Sequence, residues 1–488
     1  MKKNSVLVLS FCSVTFFLFH QCCSSESTST KNDGRKVYAS QSGAALDSDV
    51  YAGGGTDDTN ALQAILDQAP RQGRLHLVLD GAALISKSLK IHSNTTIECP
   101  DKSCGLFLAN GSNCSVIRNA DIDMKTIRNR NITLIGGVYN NNSPGQVHHR
   151  EEPADDHLIS TWVFAMEFYG VEYVTMRDVT IANQRTFAML MANWKYVTMD
   201  NIHIDRRERA DFQNQDGLHF WGPGRFLTIR DIRGNSGDDF IALAPDEHDG
   251  KSCIEDVLIQ GVQLEDADQG IRLLVCGEGK LDRVILRDIT GTYRSYGFII
   301  NPWFAGTGGR YGNIVFDTVD LRPMKNNYDY CLPFLFKLGG NIESITFKNI
   351  YQHTPEFNHT MFVIGGSYMV DTPDTDPGIR PDWSTDSTSV GQPTHIDRII
   401  VDGLYIDERC EQGIPGSYFL VRSKVDLLSI KDVIVSRRNV GDSKKGSLIK
   451  MDGGSLGELQ LRNMSISPLK TLIDGNSDNT KVLTDSAP

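Results

Sequence analysis

The chain reads as an all-β protein, a single-stranded parallel β-helix with a capping helix at its start. Three observations lead there. A short β pattern recurs about every 30 residues, a bend residue sits at a fixed place in each repeat, and one amphipathic helical stretch precedes the repeats.

The repeat runs apolar, any, apolar, any, any, apolar. It appears as VTMRDV from Val174, VTMDNI from Val197 and LTIRDI from Leu227, and again from Val257, Val284, Ile314, Ile345, Ile399, Leu428 and Leu459. Successive starts differ by 23, 30, 30, 27, 30, 31, 54, 29 and 31 residues. Alternation over the first three positions is strand periodicity, with every second side chain on one face. Asp, Asn or Gly in the next two positions marks a bend, because these residues stabilise turn conformations. A further apolar pair often follows, so each repeat holds two or three short strands, one coil of a solenoid. The doubled gap implies an insertion around Tyr368 to Gln392, rich in Pro, Asp and Ser. Helical repeats are excluded, since no stretch here keeps a 3.6-residue period for a dozen residues. A propeller would need blades of about 40 residues with tight hairpins.

A solenoid end must be covered, or its strand edges pair with other chains. Thr56 to Gln68 (TDDTNALQAILDQ) supplies a cap: Thr and Asp at N-cap positions, then Ala61, Leu62, Ile65 and Leu66 at helical spacing. The expected domain is one β-helix over residues 36–470, followed by a polar disordered tail over 471–488.

The 488 residues carry a formal net charge of −12. Nucleic acid is not expected as a partner, because a net acidic surface lacks the field that attracts phosphate. An acidic sugar remains compatible, since one local Arg or Lys binds a carboxylate. At the N-terminus Lys2 and Lys3 precede the apolar run Val6 to Phe19, too short to span a bilayer. Residues 1–22 read as an export signal and 23–35 as a flexible tether. The arrangement resembles a bacterial lipoprotein leader, with Cys22 as the lipidated residue, although no small residue stands just before it. The protein is therefore expected outside the cytoplasm, secreted, periplasmic or tethered to an outer-membrane or cell surface. Seven cysteines follow residue 23 without metal-ligand spacing, and no metal or cofactor is expected. Cys99 and Cys104 read equally as a small disulfide loop or as buried apolar residues.

Gly53 to Leu66 (GGGTDDTNALQAIL) resembles the opening of the pectin-lyase-like superfamily of right-handed parallel β-helices. The middle of the chain resembles the polygalacturonase family, glycoside hydrolase family 28, whose N-T-D, G-D-D, G-H-G and R-I-K motifs lie on successive coils. NQDG, from Asn214 to Gly217, matches the first, and SGDDFIAL, with Gly237, Asp238 and Asp239, matches the second. The later motifs differ. Gln269 stands where the family has histidine, and Ile299 and Asn301 where it has arginine and lysine. In another register GIRLL (Gly270 to Leu274) is the R-I-K coil, with Arg272 kept and Leu274 in place of lysine.

The resemblance implies Asp238 as general acid, with Asp216 and Asp239 holding the attacking water. Crowded carboxylates cannot all ionise cheaply, so one keeps its proton and can donate it. Asn214, Gln269, Arg272, Tyr296 and His219 are the candidate substrate contacts. His148, His149 and Arg150, in a polar insertion, are candidates for a cleft wall, and Tyr293, Arg294 and Trp303 for sugar contacts. The expected activity is inverting hydrolysis of an acidic poly- or oligosaccharide. Two rivals stand beside it: a uronate eliminase forming a 4,5-unsaturated sugar, and a non-catalytic glycan-binding solenoid.

Overall fold

The computed structural model describes residues 36–150, 160–207, 214–275, 277–300, 309–325, 333–353, 360–365, 395–408, 417–437, 446–466, 469 and 471–484. The expected export leader, tether, insertion at 368–392 and Trp303 lie outside the described residues.

Every repeat start found in the sequence pairs with the next. Val174 pairs with Val197, Val197 with Leu227, Leu227 with Val257 and Val257 with Val284, all parallel. The ladder continues through Ile314, Ile345, Ile399, Leu428 and Leu459. The long gap between Ile345 and Ile399 thus inserts residues without breaking register. A one-residue slip would turn the apolar set outward, so burial of that set holds each coil in place.

The bend residues form a ladder of their own. Asp178, Asn201, Asp231, Asp288, Thr318, Asn349, Asp432 and Asn463 all have positive φ between 47° and 59°. Asn and Asp reach that conformation at small cost because their side chains bond locally. Here the bonds run between coils: the Asn201 amide donates to Asp178 at 2.7 Å and the Asn463 amide to Asp432 at 2.6 Å.

Inside, side chains of one column stack. Phe298, Phe336, Phe362 and Phe419 lie face to face at centroid distances of 4.8, 5.0 and 4.5 Å. The cap helix spans Thr59–Leu66 and buries Leu62, Ile65 and Leu66 against the first coil. Cys99 and Cys104 are free and buried, and burial pushes the Cys99 thiol up to about 12. The tail departs from expectation. Thr471–Asp474 and Lys481–Thr484 are strands that pair with the two preceding strands. The last coil offers a row of backbone donors and acceptors, and the polar tail satisfies them although its side chains stay largely exposed.

Candidate active site

Strand register brings the aspartates together. Leu218 pairs with Ile241, and the Gly217 N–H donates to the Asp239 carbonyl at 2.9 Å. Asp216 and Asp239 therefore stand level on adjacent coils, with Asp238 one residue earlier on the second. Asp239 pairs with Gln269 and Gln269 with Tyr296, which makes one column across four coils, about 4.8 Å per step. Gly217 permits this approach: a Cβ there would collide with the Phe240 carbonyl of the next coil. A second column faces outward and runs from His219 through Ala242, Arg272 and Ile299 to Lys337. This ladder selects the register in which Gln269 follows Asp239 and Ile299 follows Arg272.

The three aspartates are nearly buried but differ in their partners. Asp238 receives the Asn214 N–H at 3.0 Å. Burial, then the charges of Asp216 and Asp239, push its carboxyl well above the usual range. Asp239 has both oxygens held: Arg272 Nη1 donates to Oδ2 at 3.2 Å, and the Tyr296 hydroxyl donates to Oδ1 while also touching the Gln269 side-chain amide. Asp216 is raised to about 7 by burial, against the opposing pull of His219. Its Oδ1 is buried with no hydrogen-bond partner, while its Oδ2 faces His219 Nδ1 at 2.8 Å.

His219 links Asp216 to a residue that motif reading missed. Its Nε2 lies 2.8 Å from Glu247 Oε2, which also accepts from Trp221 Nε1 at 2.8 Å. Burial draws the His219 imidazolium down, but Glu247 and Asp216 outweigh it and raise it to about 10. Burial opposes ionisation of Glu247, yet His219 holds it at about 2. Imidazolium thus sits between two carboxylates at neutral pH, with both ring nitrogens donating. The Glu247 side chain is 34% exposed, so solvent weakens its hold compared with that of Asp216. The turn carrying it is tied down by its neighbours. Asp246 accepts the N–H groups of Gly277 and Gly279 at 2.6 and 2.9 Å, and Asp249 accepts those of Lys251 and Ser252 at 3.0 and 2.9 Å. A lone glutamate in a polar turn carries no sequence signal, because only folding sets it against His219.

Of the sequence candidates, Asp216, Asp238, Asp239, Asn214, Gln269, Arg272, Tyr296 and His219 come together. Tyr293 does not. It is fully buried in the solenoid interior. Arg294 binds Asp266 at 2.6 Å. The histidines of the insertion pack on Trp162, each at a centroid distance of 5.6 Å. Trp162 meets Phe187 edge-on at 5.3 Å, and Phe187 stacks on His219 at 4.4 Å.

Residues 76–264 match the model of glycosyl hydrolases family 28, a span that includes both aspartate motifs. No curated protein matches the chain. Among solved structures, a hyperthermoactive exopolygalacturonase from Thermotoga maritima aligns at 12% identity and a TM-score of 0.50, over 91% of this chain and 93% of that one. The tailspike protein of E. coli bacteriophage HK620, in complex with a pentasaccharide, aligns at 10% identity and a TM-score of 0.54, over 88% and 77%. At these identities the likeness is one of fold. The chain is a right-handed parallel β-helix, and its residues 76–264 resemble family 28.

Proposed function

We propose that the protein is an exported glycoside hydrolase that cleaves a uronic-acid-bearing poly- or oligosaccharide with inversion. The observation that carries this reading is the crowding of three buried carboxylates on two adjacent coils, Asp216 level with Asp239 and Asp238 beside it. Burial and crowding push the Asp238 carboxyl well above its usual range and raise Asp216 to about 7, which suits Asp238 as the acid and Asp216 as the base that inversion needs.

Asp238 donates its proton to the glycosidic oxygen as the C–O bond breaks. Asp216 takes a proton from the water that attacks the anomeric carbon from the opposite face. Its partnerless Oδ1 suits that role, since Oδ2 is engaged by His219. Asp239 is assigned differently from the sequence expectation. With both oxygens bound by Arg272 and Tyr296, it fixes those two side chains rather than holding the water. Arg272 brings a cationic guanidinium beside the aspartates, the group that binds a substrate carboxylate. Because Gln269 and Ile299 replace the family's histidine and arginine, the substrate differs from plain galacturonan. Export through residues 1–22, with Cys22 as the tether of a lipoprotein-type leader, belongs to the same proposal.

A uronate eliminase is the second reading, favoured by the meeting of Arg272 and Tyr296 on Asp239. A base would take the C5 proton, the C4 substituent would leave, and a 4,5 double bond would form. Incubation with a panel of uronic-acid glycans separates the two. Hydrolysis adds water, leaves the ultraviolet spectrum unchanged and releases the inverted anomer, seen by NMR. A new absorbance band would sink the hydrolase reading. Unchanged sugar binding without turnover, in the wild type and in Asp238→Asn alike, would leave only a binding module.

A further inference from the structure

The aspartates are held from behind as well as from the side. The strand Met189–Asp205 is followed by two arginines that point different ways. Arg207 turns outward. Its guanidinium lies over the Tyr51 ring at 3.5 Å, binds Asp205 at 3.0 Å and belongs to a half-exposed side chain. Arg206 turns inward, and its side chain is only 11% exposed. Two asparagines of neighbouring coils fix this turn. The Arg206 N–H donates to the Asn235 side chain at 3.2 Å, and the Arg207 N–H to the Asn183 side chain at 3.2 Å.

The Arg206 guanidinium ends behind both aspartate motifs. A Cβ on Gly237 would collide with its Nη1 and would crowd Gln215 Cβ and Oε1 at 3.1 Å. Gly237 lies outside the left-handed region, so its backbone would admit alanine. The approach of Arg206 is what requires glycine there. Gln215 and Gly237 are the residues just before Asp216 and Asp238, and the Gly237 N–H donates to the Gln215 carbonyl at 2.9 Å. Arg206 Nη1 also lies 3.9 Å from Asp268 Oδ2, one coil further on, where the side chain is 2% exposed. Asp268 precedes Gln269, and its N–H donates to the Ser236 carbonyl at 3.2 Å. One side chain thus lies against Gly237 and Asp268 and beside Gln215, on three successive coils.

Taking a guanidinium out of water is costly, and a buried ion pair is an inefficient source of stability. An apolar side chain of similar volume would fill the space as well. What arginine adds is a planar body of fixed size, anchored at its far end by charge. Inversion needs acid and base held roughly 6.5–9.5 Å apart, and a misplacement of about 1 Å caused at a distance can cost about 100-fold in rate.

We infer that Arg206 is a positioning residue: its buried guanidinium, set behind Gly237 and anchored on Asp268, fixes the separation of Asp216 and Asp238. It acts through the backbone of the two motifs and touches no sugar. The inference rests on the hydrolase reading above and deepens it, by naming what holds acid and base at their working distance.

The test compares Arg206→Ala, Gly237→Ala and the double variant in the full chain, on the member of the uronic-acid panel that the wild type turns over fastest. Arg206→Ala should lower kcat about 10- to 100-fold with KM within about twofold. Gly237→Ala, whose methyl displaces the guanidinium, should show a similar loss. The double variant should be no slower than Arg206→Ala alone, because the methyl enters space that the guanidinium has left and Gln215 has to yield only slightly. Circular dichroism and urea denaturation report whether each variant folds. Arg206→Lys, which keeps the charge without the planar fork, should fold and still lose kcat. Wild-type kcat in Arg206→Ala or Arg206→Lys, a raised KM with kcat unchanged, or a double variant whose loss is the product of the single losses would overturn the inference and leave the hydrolase reading standing. A wild type that turns over no member of the panel would remove the hydrolase reading, and this role with it.

Discussion

Glu247→Gln tests how the site manages its protons. The substitution keeps the shape of the side chain and an oxygen that can accept from His219 and Trp221, but removes the charge. In the wild type His219 is raised to about 10 and Asp216 to about 7. Without Glu247 the imidazolium loses one of its two carboxylates, so its affinity for the proton falls toward the ordinary value. Asp216 then loses an adjacent cation, which outweighs the smaller relief from losing the Glu247 charge, so its own carboxyl rises further. An opposite charge within about 4–6 Å is worth roughly 1–3 pKa units, and His219 stays partly protonated, so a rise of about one to two units is reasonable. A base must be ionised to act, so the acidic limb of kcat/KM should move up by that amount. Turnover at pH 6 should fall about 10- to 100-fold, while most of it returns by pH 9. Imidazole NMR supplies a readout that needs no substrate. His219 should not titrate between pH 5 and 9 in the wild type, and should acquire a midpoint in that window in the variant. A loss of activity equal at every pH, with His219 still untitrated, would refute this account of the relay.

Three further outcomes follow from the same geometry. Asp238→Asn should abolish turnover yet stabilise the fold increasingly as pH rises above 4. The folded-state pKa of Asp238 is raised, so its favourable contribution is complete only below the unfolded value and is lost toward the folded one, at up to about 1.4 kcal/mol per pH unit; a melting-temperature difference independent of pH would contradict this. Tyr296→Phe removes a donor to Asp239 and should lower kcat about 10-fold or more with little change in circular dichroism. Phe336→Ala opens a hole in the interior stack and should cost about 3–5 kcal/mol in urea denaturation, without moving the pH profile of any remaining activity.

The solenoid was legible because its signal is local and repeated. One inward apolar pattern and one bend residue per coil, seen ten times, specify strand, turn and period together. The ladder from Val174 to Leu459 then follows, because any slip would expose the apolar set. The tail at 471–484 was misread because it has no apolar pattern; its strands exist only where the last coil presents an edge to pair with. Asp216, Asp238 and Asp239 could be named because two short motifs lie one coil apart. Arg272 and Gln269 were found, but their register was ambiguous until the pairing of Asp239 with Gln269 settled it.

By itself the sequence determined a β-helix and where on it the carboxylates cluster, since both are written as patterns within one coil. The tertiary structure decided how each aspartate is held. The partners come from other coils: Arg272 and Tyr296 on Asp239, His219 and then Glu247 behind Asp216, and Asp216 crowding the buried Asp238. The aromatic packing beside His219 is likewise built from Trp162, Phe164 and Phe187 across two coils. Their spacing along the chain has no period, so nothing short of the folded coil sets those rings against the site.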